Sequence, residues 1–135
     1  MKINSIGHVF ETLPPFLGNR QAQPGDQFVV GLKVVPTPEQ DEYQRFRERA
    51  FATFALDKAQ EEVDKKLRET VRAKVAFIRG LIIDGINDDG RELSFDEFYA
   101  QAPPEIVSWV CRAVMSTTEL SAAERKNFLP GSAGR

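Results

Sequence analysis

The chain is poor in the residues that do chemistry. It holds one cysteine and one histidine in 135 residues. A zinc cage needs more ligands of the right type than His8 and Cys111 supply. No sequence rule brings the two together as a nucleophilic dyad either, and free cysteines are more often buried and inert. With no second cysteine, an internal disulfide is ruled out, which suits a reducing compartment. Charge of one sign is not in excess, since 18 Lys and Arg stand against 20 Asp and Glu. That argues against a nucleic-acid partner. No apolar run approaches a membrane span, and residues 1–8 lack the apolar stretch of a secretory signal. A phosphate-binding glycine loop, a G-x-S-x-G turn and internal repeats are all missing. Carboxylate pairs such as Glu61-Glu62 and Asp96-Glu97 fall on an exposed helix surface or in a cap, with nothing to raise a pKa as a general acid needs. The sequence therefore predicts no catalytic residue, no cofactor and no metal.

What is present describes one soluble globular domain, with 41% apolar and 28% charged residues. Residues 1–36 hold most of the proline and glycine and read as strand and loop. Residues 27–35 (QFVVGLKVV) form the best strand, with Phe28, Val30, Leu32 and Val34 on one face, and residues 8–13 (HVFETL) are a plausible partner. A two-stranded unit is marginal alone and must pack on something else.

Residues 37–129 read as helical. Thr37-Pro38-Glu39-Gln40 predicts a capping box with proline at the first helical position. From Glu39 to Arg79 there is no glycine or proline. Tyr43, Phe46, Ala50 and Phe54, then Val63, Leu67, Val71, Val75, Ile78 and Ile82, recur mostly at spacings of three and four. One helix over 38–83 would be about 70 Å long, too long for a body of this size, so a break is expected near residues 56–61. The charges of residues 57–74 alternate in sign and predict a solvated face. Pro103-Pro104 separates two further helices. Residues 105–115 carry Ile106, Val110, Ala113 and Val114 on one stripe, with Trp109 and Cys111 beside it. A last capped helix begins at Ser121, and residues 130–135 form a tail. The expected fold is α+β, mainly α: a short N-terminal β-hairpin or small sheet, then an amphipathic bundle of about four to five helices.

Residues 85–98 (GINDDGRELSFDEF) invite a calcium reading. Placing Gly90 at position 6 of an EF-hand loop puts Asn87 and Asp89 at positions 3 and 5, but leaves Gly85 at 1 and Asp96 at 12. Aligning on Leu93, Ser94 and Glu97 displaces the first half by one residue. A turn through Asn87-Asp88-Asp89-Gly90, followed by a Ser94/Glu97 capping box, accounts for every residue.

More apolar helix surface is present than so small a body can bury by itself, which points to an interaction protein. Tyr43, Phe46, Phe54, Val63, Leu67 and Trp109 are the candidate contact residues, with ordinary core as the alternative for each. The order of elements resembles the small tail assembly chaperones of long-tailed bacteriophages and prophages. The likeness rests on the strand FVVGLKVV, the helix entry PTPEQDEYQRFRERA, a long charged middle, the segment IIDGINDDGRELSFDEFYAQAPPEIV and the closing LSAAERKNF. It is most specific at residues 28–46 and 120–128. The resemblance implies a non-enzymatic factor of the host cytoplasm that coats the tape-measure protein, recruits tail-tube subunits and is shed from the finished particle. It carries no catalytic residues, and self-association is compatible with it. It also implies that a longer frameshifted form could be encoded near Lys126-Asn127. A structural neck or tail component of the virion would share this composition, and a calcium-responsive module through residues 85–97 is the other alternative.

Overall fold

The structure, a computed structural model, describes residues 7–117. A three-stranded antiparallel sheet and four helices form an α+β, mainly α architecture. The strands are β1 (Val9–Thr12), β2 (Val29–Lys33) and β3 (Val75–Arg79), in the spatial order β1-β2-β3. The helices are α1 (Thr37–Thr53), α2 (Leu56–Lys74), α3 (Phe95–Gln101) and α4 (Pro104–Met115). The predicted helix from Ser121 lies outside the described residues, as do residues 126–127 and the tail.

β2 is the central strand. It pairs with β1 from Val9↔Lys33 to Thr12↔Val30, and with β3 from Val29↔Arg79 to Leu32↔Val75. Its inward face is the predicted one at Phe28, Val30 and Leu32, all buried. The alternation fails one residue past the strand. Val35, expected outward, is fully buried, and its N–H donates to Thr117 Oγ1 at 2.9 Å. On the outer face the Phe77 ring of β3 lies across Gly31, where a Cβ would stand 2.4 Å from a ring carbon. Glycine is required there so that the aromatic can lie down on the central strand. The Arg79 guanidinium sits over the same ring at 4.5 Å and closes on Glu11 of β1 at 2.6 Å.

The long helical stretch is corrected in two places. It breaks at Phe54 and Ala55, whose backbones are extended, slightly ahead of the expected region. It also ends at Lys74, because residues 75–79 are a strand and not a continuation of the helix. Val75, Phe77 and Ile78 fit either period in so short a run. The open edge of β2 decides the matter by offering ladder hydrogen bonds to a β-branched and aromatic segment. The predicted box at Thr37 does not form. Pro36 is the N-cap without a side-chain hydrogen bond, and the Gln40 side chain instead donates to the Met115 carbonyl.

α1 and α2 are the two legs of an antiparallel hairpin. Lys74–Glu39 (3.0 Å) ties its base and Lys66–Glu42 (3.3 Å) its middle. Ala50, Ala59 and Val63 fill its inside, with Tyr43 against them. The main core is separate. Phe28, Val30, Leu32 and Val35 of the sheet region meet Val71, Ile78, Leu93, Phe98, Ile106, Val110 and Val114. Phe98 is fully buried with its ring centre 6.3 Å from that of Phe28. Pro103-Pro104 separates α3 from α4, as the sequence predicted, and α4 buries Ile106, Val110, Cys111, Ala113 and Val114. Among the described residues no helix is long and apolar enough to cross a membrane.

Candidate functional site

At the closed end of the hairpin three large apolar side chains stay partly exposed. Phe51 is 38% exposed, Phe54 44% and Leu56 72%. They fall within six residues, on the last turn of α1, the break and the first residue of α2. The break puts them there. Phe54 leaves the helix in an extended conformation, so the stripe that runs through Tyr43 and Ala50 stops short of covering it. The residues that fill the hairpin nearest the tip are the small Ala50 and Ala59, both buried. Phe51, Phe54 and Leu56, gathered in one short stretch, differ from exposed apolar residues scattered singly, which need no explanation. The Arg47 guanidinium lies 5.9 Å from the Phe51 ring centre. Leu17 and Ile82 are also exposed, but each stands apart in sequence from this cluster.

The six candidate contact residues divide among four environments. Val63 is buried at 5%, inside the hairpin, and Tyr43 is half-buried against it. Burial raises the Tyr43 pKa, so its phenol stays neutral. Leu67 and Trp109 are half-buried and pack on the main core. Phe46 is half-buried under Lys66 Nζ at 5.6 Å. Phe54 alone of the six is at the exposed tip. Its companions Phe51 and Leu56 were not singled out from the sequence. The signal available was the nine-residue gap between Phe54 and Val63, the one place where the stripe's spacing fails.

In the loop of residues 80–94 the side chains of Asn87, Asp88 and Asp89 serve the backbone. Asn87 is buried, accepts from the Ile83 N–H through Oδ1 (2.7 Å) and donates through Nδ2 to the carbonyls of Leu81 (2.7 Å) and Arg91 (2.9 Å). Asp88 accepts from the Gly85 N–H and Asp89 from the Arg91 N–H. Gly90 takes a positive φ of 79° that closes the turn. The Ser94/Glu97 capping box is present with both bonds at 3.1 Å. Glu97 is also held by both terminal nitrogens of Arg91, at 3.0 and 2.7 Å. That guanidinium first, and the Ser94 N–H next, lower the Glu97 pKa to about 2. The oxygens that a calcium cage would draw from Asn87, Asp89 and Glu97 thus already accept protein hydrogen bonds. Among the described residues no group of three His, Cys, Asp or Glu is arranged to hold a metal ion.

Cys111 lies in the main core, and burial pushes its thiol pKa up, away from the thiolate a nucleophile needs. His8 is exposed just before β1. A shallow cleft of about 260 Å³ beside α2 and α3 is lined by Glu61, Asp64, Lys65, Arg68 and Tyr99, with the Arg68 guanidinium 5.4 Å from the Tyr99 ring centre. Its two acids and two bases give it no preference for a ligand of one charge. No protein-family model, no curated protein and no solved structure matches the chain.

Proposed function

We propose that the protein is a non-enzymatic assembly chaperone of a long-tailed bacteriophage or prophage. It acts in the host cytoplasm, binds the helical tape-measure protein through its α1–α2 hairpin and helps recruit tail-tube subunits. The observation that carries this reading is the hairpin tip, where Phe51, Phe54 and Leu56 are left in water at the end of two otherwise polar helices. A client rich in apolar helix is soluble only while its stripe is covered, and an apolar tip on a charged, soluble stalk supplies such cover. The resemblance in the order of elements supports the same reading.

Co-expression of the full chain with the tape-measure protein of the same genome, followed by co-purification, tests it. The wild type is expected to retain the tape-measure protein in the soluble fraction, and F54S/L56S to lose it. Equal recovery with both proteins, or with neither, would overturn the reading. Mass spectrometry of purified virions is expected to find the protein absent. Its presence at tail stoichiometry would make it a structural component instead.

A further inference from the structure

One side of α2 keeps its charges unpaired. Asp57, Glu61, Asp64 and Arg68 follow one another at spacings of four, three and four, which sets them on one stripe of the helix, with Lys65 beside it. Glu61–Lys65 and Asp64–Arg68 have the spacing and the order of sign that favour ion pairs within a helix, yet neither closes. Asp64 accepts from Gln60 Nε2 at 3.1 Å, and the Arg68 guanidinium lies 5.4 Å from the Tyr99 ring centre instead. Among the described residues no acceptor meets Arg68, and its Nε is shut away from water without a partner. An orphaned buried donor is rare in a folded chain. The ring holds the guanidinium in place without using its N–H groups, which leaves them for a carboxylate from outside the chain.

The stripe is sorted by sign along its length. From the tip toward the root come Asp57, Glu61 and Asp64, then Lys65, Arg68 and Arg72, and Arg72 is closed on Asp96 at 2.6 Å. α3 runs antiparallel beside the root half, since Asp96 meets Arg72 and Tyr99 meets Arg68, and it stops at Gln101. The cleft of about 260 Å³ lies where the sign changes. It is shallow and walled mostly by charged side chains, unlike the apolar pockets that enclose small ligands. A polypeptide brings its own contact area. The backbone of α2 is hydrogen-bonded within the helix and offers an extended chain nothing to pair with, so the segment that fits is itself a helix. Leu56 at the tip precedes Glu61 by five residues, about 7.5 Å along the axis, so a helix seated on the tip reaches the cleft within about two turns. An interface of standard size buries about 800 Å² per partner, more than three partly exposed side chains provide, and such a helix needs this second contact.

We propose that the cleft receives a helical segment of the partner polypeptide whose side chains run apolar, basic, acidic away from the tip, its base meeting Glu61 and Asp64 and its carboxylate meeting Arg68. The proposal rests on the functional reading for the tip as a contact surface and adds the order of charge the partner must carry. Synthetic helical peptides of about 18 residues and equal composition test it, each with leucines at one end. One continues with lysines and then glutamates, the other with glutamates and then lysines, and each is made in both chain directions. Calorimetric titration into the full chain at low salt is expected to show the lysine-first order bound about tenfold or more tighter, taking whichever direction binds better. The difference is expected to shrink as salt rises from about 0.05 to 0.5 M. In the NMR spectrum of that complex the Arg68 Nε–H and Tyr99 ring resonances are expected to shift. E61K/R68E is expected to reverse the preference. E61K/K65E, which changes two exposed side chains and so spares the fold, is expected to erase it. Equal binding of the two orders, no binding of either below about 1 mM, or a preference that both variants leave intact overturns the proposal. Equal binding of the two orders, while F54S/L56S still loses the tape-measure protein, sinks this proposal alone. A lysine-first preference alongside equal tape-measure recovery by wild type and F54S/L56S sinks the functional reading alone.

Discussion

Asn87 holds the loop of residues 80–94 with one amide group, accepting one backbone N–H and donating to two carbonyls across it. N87A removes three hydrogen bonds and leaves part-buried backbone groups to be satisfied by water, so a loss of about 1–3 kcal/mol is expected in denaturant unfolding. N87D is expected to be at least as damaging, since a carboxylate oxygen would face the Leu81 and Arg91 carbonyls in place of the donor. Glu97 provides the pH dependence. Its carboxyl is depressed from 4.5 to about 2 in the folded chain, chiefly by Arg91. Its contribution is thus complete above about 4.5 and is lost as pH falls through about 2. NMR titration of the Glu97 carboxyl is expected to show the low midpoint in the wild type. In R91A the midpoint is expected to return toward the ordinary carboxylate range.

The sheet supplies a test at the scale of elements. Adding a methyl in G31A drives it into the Phe77 ring, with an expected cost of about 1–3 kcal/mol. In an F77A background the space is vacated, and the same change is expected to cost less than about 1 kcal/mol, a coupling that a double-mutant cycle reads directly. This part of the molecule also separates what local chemistry dictates from what it does not. The Ser94/Glu97 box, the Pro103-Pro104 junction and the inward face of β2 depend on neighbours within a few residues, and each is legible in the sequence. Whether residues 75–79 extend a helix or make a strand depends on β2 lying alongside, more than forty residues earlier. Val35 turns inward because Thr117, 82 residues away, accepts its N–H. Thr37 caps nothing because the chain enters α1 from Pro36, and the Gln40 side chain donates to the Met115 carbonyl instead. Of the candidate site, Phe54 was visible as the end of a stripe, and the gap from Phe54 to Val63 marked the break. Phe51 and Leu56 were not visible, because neither lies on the stripe's three- and four-residue spacing and no glycine or proline fixes where the chain turns.

For the whole molecule, the two apolar clusters predict a division between stability and binding. F98A opens the main core and is expected to cost about 3–5 kcal/mol in thermal or denaturant unfolding. F54S/L56S changes side chains that are 44% and 72% exposed and is expected to cost no more than about 1 kcal/mol of stability, while removing client capture. The way the hairpin is rooted adds something more. α2 passes into β3 with no intervening residue, and only three residues separate β2 from α1. α2 is therefore continuous with β3, and α1 follows the neighbouring strand of the same ladder after a three-residue link. Over the roughly 28 Å length of α2, a load applied to the far end has nowhere to be absorbed before it reaches the amides that join β2 to β3. A contact made at one extremity is then expected to register as a change in hydrogen-exchange protection along β2 and β3 at the other, a link across the length of the stalk that amide exchange can measure.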